Sequence, residues 1–190
     1  NIIIHNYNLE KIKNLNWFNH IKDLPKLINL PGRRDGYYNC WKAFITKDVY
    51  DKINSNSIIY YVDCSRHFID GFTESIYKLC YLVNYYKFIA GSVSDDIKNN
   101  TEKYCDNIKL WKKIILNKQD EEYNKYINNK HVLNSWYILK KINYNDNFIN
   151  EWIKYSIYKD EDLDNPLVTY HHTADQSIFN ILVYKYDFFV

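Results

Sequence analysis

A chain of 190 residues with 46% hydrophobic and 25% charged side chains has ordinary globular composition, which excludes a wholly disordered chain and suits one domain spanning residues 1–190. Its formal net charge of +2 excludes a nucleic-acid partner held by bulk electrostatics. Only 4 Gly and 3 Pro exclude a string of flexible linkers, and Cys40, Cys64, Cys80 and Cys105 show no C-x-x-C spacing, which argues against zinc and for buried free thiols.

In chain order, NIIIHNY reads as a short strand and is followed by an irregular or helical entry to Ile21. KLINLPGRRDG is an apolar run ending in a basic turn broken by Pro31 and Gly32. Trp41, Phe44, Ile45, Val49 and Ile53 recur at helical spacing. Ser57 to Asp63 is an apolar, β-rich run, a buried strand that delivers a carboxylate to its C-terminal end. A helix from about Thr73 places Ile76, Leu79, Cys80 and Val83 inward, and KFIAGS is the next strand, broken by Gly91. A helix over residues 101–116, capped by Thr101, shows Tyr104, Ile108, Trp111 and Ile115 on one face. Residues 117–130 are a polar, partly helical surface stretch, and the run from His131 to Lys141 is a strand carrying Asn134 and Ser135. Phe148, Ile149, Trp152, Ile153 and Ile157 mark another helix. The acidic turn DEDLDNP leads to a short strand LVTY, and the last helix carries Ile178, Phe179, Ile181, Leu182 and Tyr184. Strands alternating with helices predict an α/β fold with a mostly parallel sheet flanked by helices. Ligands of such sheets bind beyond the C-terminal ends of the strands, where Asp63 falls.

Three segments, YYVDCS, LNSWYILK and ADQSIFNIL, stand in the order of the motifs of a known family. They resemble the GT-A-type glycosyltransferases, most closely the glycogenin-like family 8 enzymes and their short relatives, and the likeness spans roughly Gly36 to Tyr186. In that family the first motif is the strand with the metal- and nucleotide-binding carboxylates. The second lines the sugar pocket, and the third holds the donor sugar at a helix start. WKAFITKDVYDKI is similar to the family's helix that opens with a basic residue. The chain departs from the pattern at Ser65, where the second Asp of Asp-x-Asp would stand, and at Trp136, which replaces the Gly after Asn-Ser.

The resemblance implies a GT-A-like, Rossmann-type domain moving a sugar from a nucleotide-diphosphate donor to a glycan or protein acceptor with Mn²⁺ or Mg²⁺, with retention of configuration. Asp63 then binds metal or ribose, because a hard divalent cation that neutralises a departing diphosphate takes oxygen ligands. Ser65 and His172 are weaker candidate ligands, and Lys42 sits near the diphosphate or the strand-end carboxylate. Asn134, with Ser135, and the pair Asp175 and Gln176 meet the sugar. In an inverting enzyme Asp175 is the candidate general base. Arg33, in its Gly-flanked loop, can grip phosphates, and Tyr38 can stack on the base. Structural readings compete at each point: Asp63 capping a turn, Lys42 snorkelling, Asn134 in a bulge or at an edge, Asp175 capping a helix.

Two other classes remain open, a family member that binds a nucleotide or glycan without catalysis and a plain interaction domain. No apolar run is long enough to span a membrane, and no signal peptide is seen, which favours a cytoplasmic location; the start at Asn1 leaves room for a removed N-terminal piece.

Overall fold

The computed structural model describes residues 2–20, 22, 41–63, 70–92, 114–115, 126, 128–157 and 174–190. A short helix α1 (Leu9–Lys13) and a 3₁₀ turn (Asn16–His20) precede α2 (Trp41–Lys52), β1 (Ile58–Val62), α3 (Phe72–Tyr86) and β2 (Phe88–Ser92). After them come β3 (Val132–Lys140), α4 (Asn143–Ser156) and α5 (Ala174–Lys185). The α1 start is set by Asn8, whose side chain accepts from the Lys11 N–H in the usual cap geometry.

The fold is mixed α/β, but its sheet corrects the parallel expectation. Among the described residues the sheet has three strands in the order β1-β3-β2, and β3 is antiparallel to both neighbours. β1 and β2 therefore point the same way, joined through α3, while β3 returns between them. Alternation of strands and helices carries no information on direction when the connection is long, and some 40 residues separate β2 from β3. A parallel bridge, Ile89 to Phe189, lies on the other side of β2.

NIIIHNY is not a strand: Ile2, Ile3 and Ile4 are exposed and pair with no strand among the described residues. β-propensity without a partner ladder leaves the backbone unpaired and the side chains wet. The expected helix at 101–116 is described only at Ile114 and Ile115, both buried. The expected LVTY strand and the basic loop before α2 lie outside the described residues.

The main core lies between one sheet face and α2, α4 and α5. Tyr137 and Leu139 of β3 and Phe88 of β2 pack there against Phe148, Trp152 and Phe179. Aromatic contacts knit this core, with Phe179 5.0 Å from Trp152 and 5.3 Å from Tyr137 between ring centroids. The opposite face takes α3 through Val83, Ile89 and Ile138. A third cluster joins the entry segment to α2, where Trp17 stacks on Phe44 at 5.2 Å. The Tyr7 hydroxyl donates to Asp48 there at 2.5 Å.

Candidate functional site

β1 ends at Val62, and Asp63 continues it by donating its backbone N–H to the Ser135 carbonyl at 2.8 Å. The ladder thus fixes where the Asp63 carboxylate emerges, beside β3. On the β2 side the pairing is irregular. Ala90 faces Tyr137 whereas its neighbour Gly91 faces Leu133, so Asn134, Ser135 and Trp136 form a bulge in β3. An odd number of extra residues reverses the alternation of faces. Val132 and Asn134 therefore share the main-core face with Tyr137 and Leu139. The structure selects the bulge reading of Asn134.

The bulge is accommodated by Gly91. A Cβ there would lie 2.5 Å from Trp136 Nε1 and 2.6 Å from its Cε2, so the indole rests directly on the Gly91 backbone. Trp136, where the resembling motif has Gly, thus has its missing space supplied from the neighbouring strand.

Four of the expected site residues converge at the bulge, although they stand on different elements. Lys42 of α2, only 7% exposed, donates to Asp63 Oδ2 at 3.2 Å, to Asn134 Oδ1 at 3.0 Å and to the Asn134 carbonyl at 3.4 Å. Lys42 therefore does not snorkel; its ammonium lies against the strand-end carboxylate, the second of its two expected places, and holds Asp63 and the bulge together. Asp63 Oδ1 accepts from Tyr61 at 2.6 Å.

Gln176, in the first turns of α5, accepts from the Asn134 backbone N–H at 3.3 Å and donates to the Val132 carbonyl. Its amide thus bonds the β3 backbone on both sides of Leu133, at the start of the bulge. Gln176 Nε2 also donates to Asn180 Oδ1 at 2.9 Å, and Asn180 Nδ2 lies 2.8 Å from His131 Nδ1. These bonds tie the Gln176 amide to β3 and to its own helix.

Behind the network, Tyr61 stacks on Tyr137 at 4.7 Å, and Tyr137 shares a short hydrogen bond with Thr46. Burial pushes the Tyr137 hydroxyl well above the usual tyrosine range; the Thr46 bond works against this and the Asp63 charge adds to it. Tyr137 thus stays protonated and serves as scaffold. Sequence reasoning passed over Tyr61, Tyr137, Thr46, Asn180 and His131. Gly91 alone carried a signal, since an isolated glycine in a strand marks a bulge or a close approach.

Ser135 is half-buried beside Asp63. Arg33, Tyr38, Ser65, His172 and the Asp175 side chain lie outside the described residues, and Asp175 itself belongs to the first turn of α5.

No family model, curated protein or solved structure matches the chain. The chemistry of the site is therefore read from its own side chains.

The described donor set does not fit a resident divalent ion. Asp63 is a single carboxylate whose oxygens already hold an ammonium and a phenol. Among the described residues no group of three or more His, Cys, Asp or Glu side chains is placed to hold a metal. The arrangement suits hydroxyl groups better. An ionised carboxylate offers roughly four acceptor positions, and two are taken by Lys42 and Tyr61. The Asp63 side chain is 23% exposed, and its charge is balanced by the buried Lys42. Among the described residues, no helix is long and apolar enough to cross a membrane.

Proposed function

We propose that the chain moves a sugar from a nucleotide-diphosphate donor to a glycan or protein acceptor, with Asp63 gripping a vicinal diol of the donor. One observation supports this reading: Lys42, Asp63, Asn134 and Gln176, singled out by the motif resemblance and set on separate elements, meet in one hydrogen-bonded network. The division of labour differs from the motif expectation. Asp63 meets the ligand, Ser135 borders it, and Lys42, Asn134 and Gln176 are positioning residues. Adjacent hydroxyls of ribose or hexose can donate to the remaining positions of the carboxylate, and a fixed carboxylate orients the sugar for displacement of the diphosphate.

A second reading, binding without turnover, is favoured by a specific feature. The polar groups behind Asp63 bond to one another instead of converging on a common outside point.

The test is donor turnover by the chain and by Asp63→Asn, run against a panel of nucleotide sugars below the variant's melting range. The parent is expected to cleave or transfer at least one donor, and Asp63→Asn to lose about 10²-fold in rate, since misplacing a bound sugar forfeits much of the gain from positioning. Circular dichroism verifies that the variant is folded. A folded Asp63→Asn with the parent rate contradicts the site, and binding of a donor without turnover selects the second reading.

A further inference from the structure

One face of α5 carries a polar stripe. Gln176, Asn180 and Tyr184 recur at every fourth residue, so they stand one above the other along the helix. All three bond the start of β3 or the two residues before it. Tyr184 donates its hydroxyl to the Lys130 carbonyl at 2.7 Å, Asn180 Nδ2 lies 2.8 Å from His131 Nδ1, and Gln176 reaches Val132 and Asn134. Asn180 is fully buried, and a buried amide is costly unless its ends are bonded.

The backbone of β3 sets the direction of each bond in this chain. A peptide N–H only donates and a peptide carbonyl only accepts. Gln176 must therefore turn Oε1 to the Asn134 N–H and Nε2 to the Val132 carbonyl. The second hydrogen of Nε2 goes to Asn180, which has to offer Oδ1, at 2.9 Å. Asn180 Nδ2 is left facing His131, and an amide nitrogen only donates. His131 Nδ1 is thus an acceptor, and the neutral ring carries its hydrogen on Nε2. A hydrogen on Nδ1 would set donor against donor. Relieving that would turn over Asn180 and then Gln176, breaking both bonds to β3.

We infer that His131 is a positioning residue for the bulge: its Nδ1 lone pair fixes the orientation of Asn180 and, through Asn180 and Gln176, the place of Asn134. The side chain and carbonyl of Asn134 accept from Lys42, and Lys42 holds Asp63. A continuous series of bonds therefore runs from the half-buried His131 to the carboxylate at the end of β1. The effect of His131 on nucleotide-sugar binding rests on the reading of Asp63 proposed above; its effect on Asn134 does not.

Imidazole nitrogen NMR of the full chain at about pH 8, where an ordinary histidine is neutral, reads the tautomer directly. The His131 signals are those lost in His131→Leu, and they are expected to show the Nε2–H form alone. In Asn180→Asp a carboxylate still accepts from Gln176 but now also offers His131 an acceptor, so a hydrogen should appear on Nδ1. A ring that served only as packing would not make that change. Amide exchange at Asn134 is the second readout. His131→Leu should accelerate it roughly 5-fold, the loss of about one hydrogen bond, and weaken by a similar factor any nucleotide sugar that binds the parent. His131→Asn should restore both, since its Oδ1 can stand where Nδ1 does. A parent ring with its hydrogen on Nδ1, parent exchange at Asn134 in His131→Leu, or a His131→Asn chain that exchanges like His131→Leu overturns the inference. If no nucleotide sugar binds the parent while tautomer and exchange behave as expected, the ligand reading of Asp63 fails and the positioning role of His131 stands.

Discussion

Lys42→Met is expected to destabilise the chain by about 2–4 kcal/mol, the cost of breaking a buried ion pair and leaving its partners uncompensated, reduced because Asp63 is partly exposed. Met matches the volume and the stem of the lysine but donates nothing. Asp63 Oδ2, Asn134 Oδ1 and the Asn134 carbonyl all lose a partner in one substitution. For a chain of this size that corresponds to a fall of roughly 5–15 °C in melting temperature. Adding Asp63→Leu removes the stranded charge and should recover at least half of the loss, the signature of a desolvated ion pair rather than of lost packing. A melting temperature for Lys42→Met within 2 °C of the parent would show that the ammonium is not held as described.

Gln176→Ala is expected to act mainly on stability, by about 1–2 kcal/mol, because it removes the hydrogen bonds that the side-chain amide makes to β3. The Asn134 N–H, the Val132 carbonyl and the Asn180 side chain each lose one partner. Gln176→Glu keeps the acceptor for Asn134 but turns a carboxylate oxygen toward the Val132 carbonyl, so it should rescue little. Amide exchange at Asn134 separates this role from sugar binding. It should accelerate in Gln176→Ala without any ligand present. Unchanged exchange at Asn134 would return Gln176 to the ligand-contacting role that the motif resemblance assigns it.

The elements were legible where burial is one-sided. Apolar spacing in α2, α4 and α5 marks the helices, and the apolar run before Asp63 marks β1, because both patterns follow directly from which side chains face the core. Strand direction was not legible, since nothing local in residues 132–140 distinguishes a strand that continues a parallel order from one that returns between two others. The candidate site was half legible. Asn134 and Gly91 are poor strand residues, and both stand at the bulge. What they pair with depends on contacts across 92 residues for Lys42 and Asn134 and 42 for Asn134 and Gln176, which no spacing rule encodes.

Calorimetric titration with nucleoside diphosphates and their sugar conjugates addresses the central claim most directly, namely that the remaining acceptor positions of Asp63 are a ligand site. Saturable binding of at least one sugar conjugate is predicted, weakened about 10-fold or more in Asp63→Asn, because a hydroxyl bonded to a carboxylate loses a charge-assisted hydrogen bond. Binding of no member of the panel, or binding of equal strength to a folded Asp63→Asn, would contradict the account and leave the network at the end of β1 as internal scaffolding.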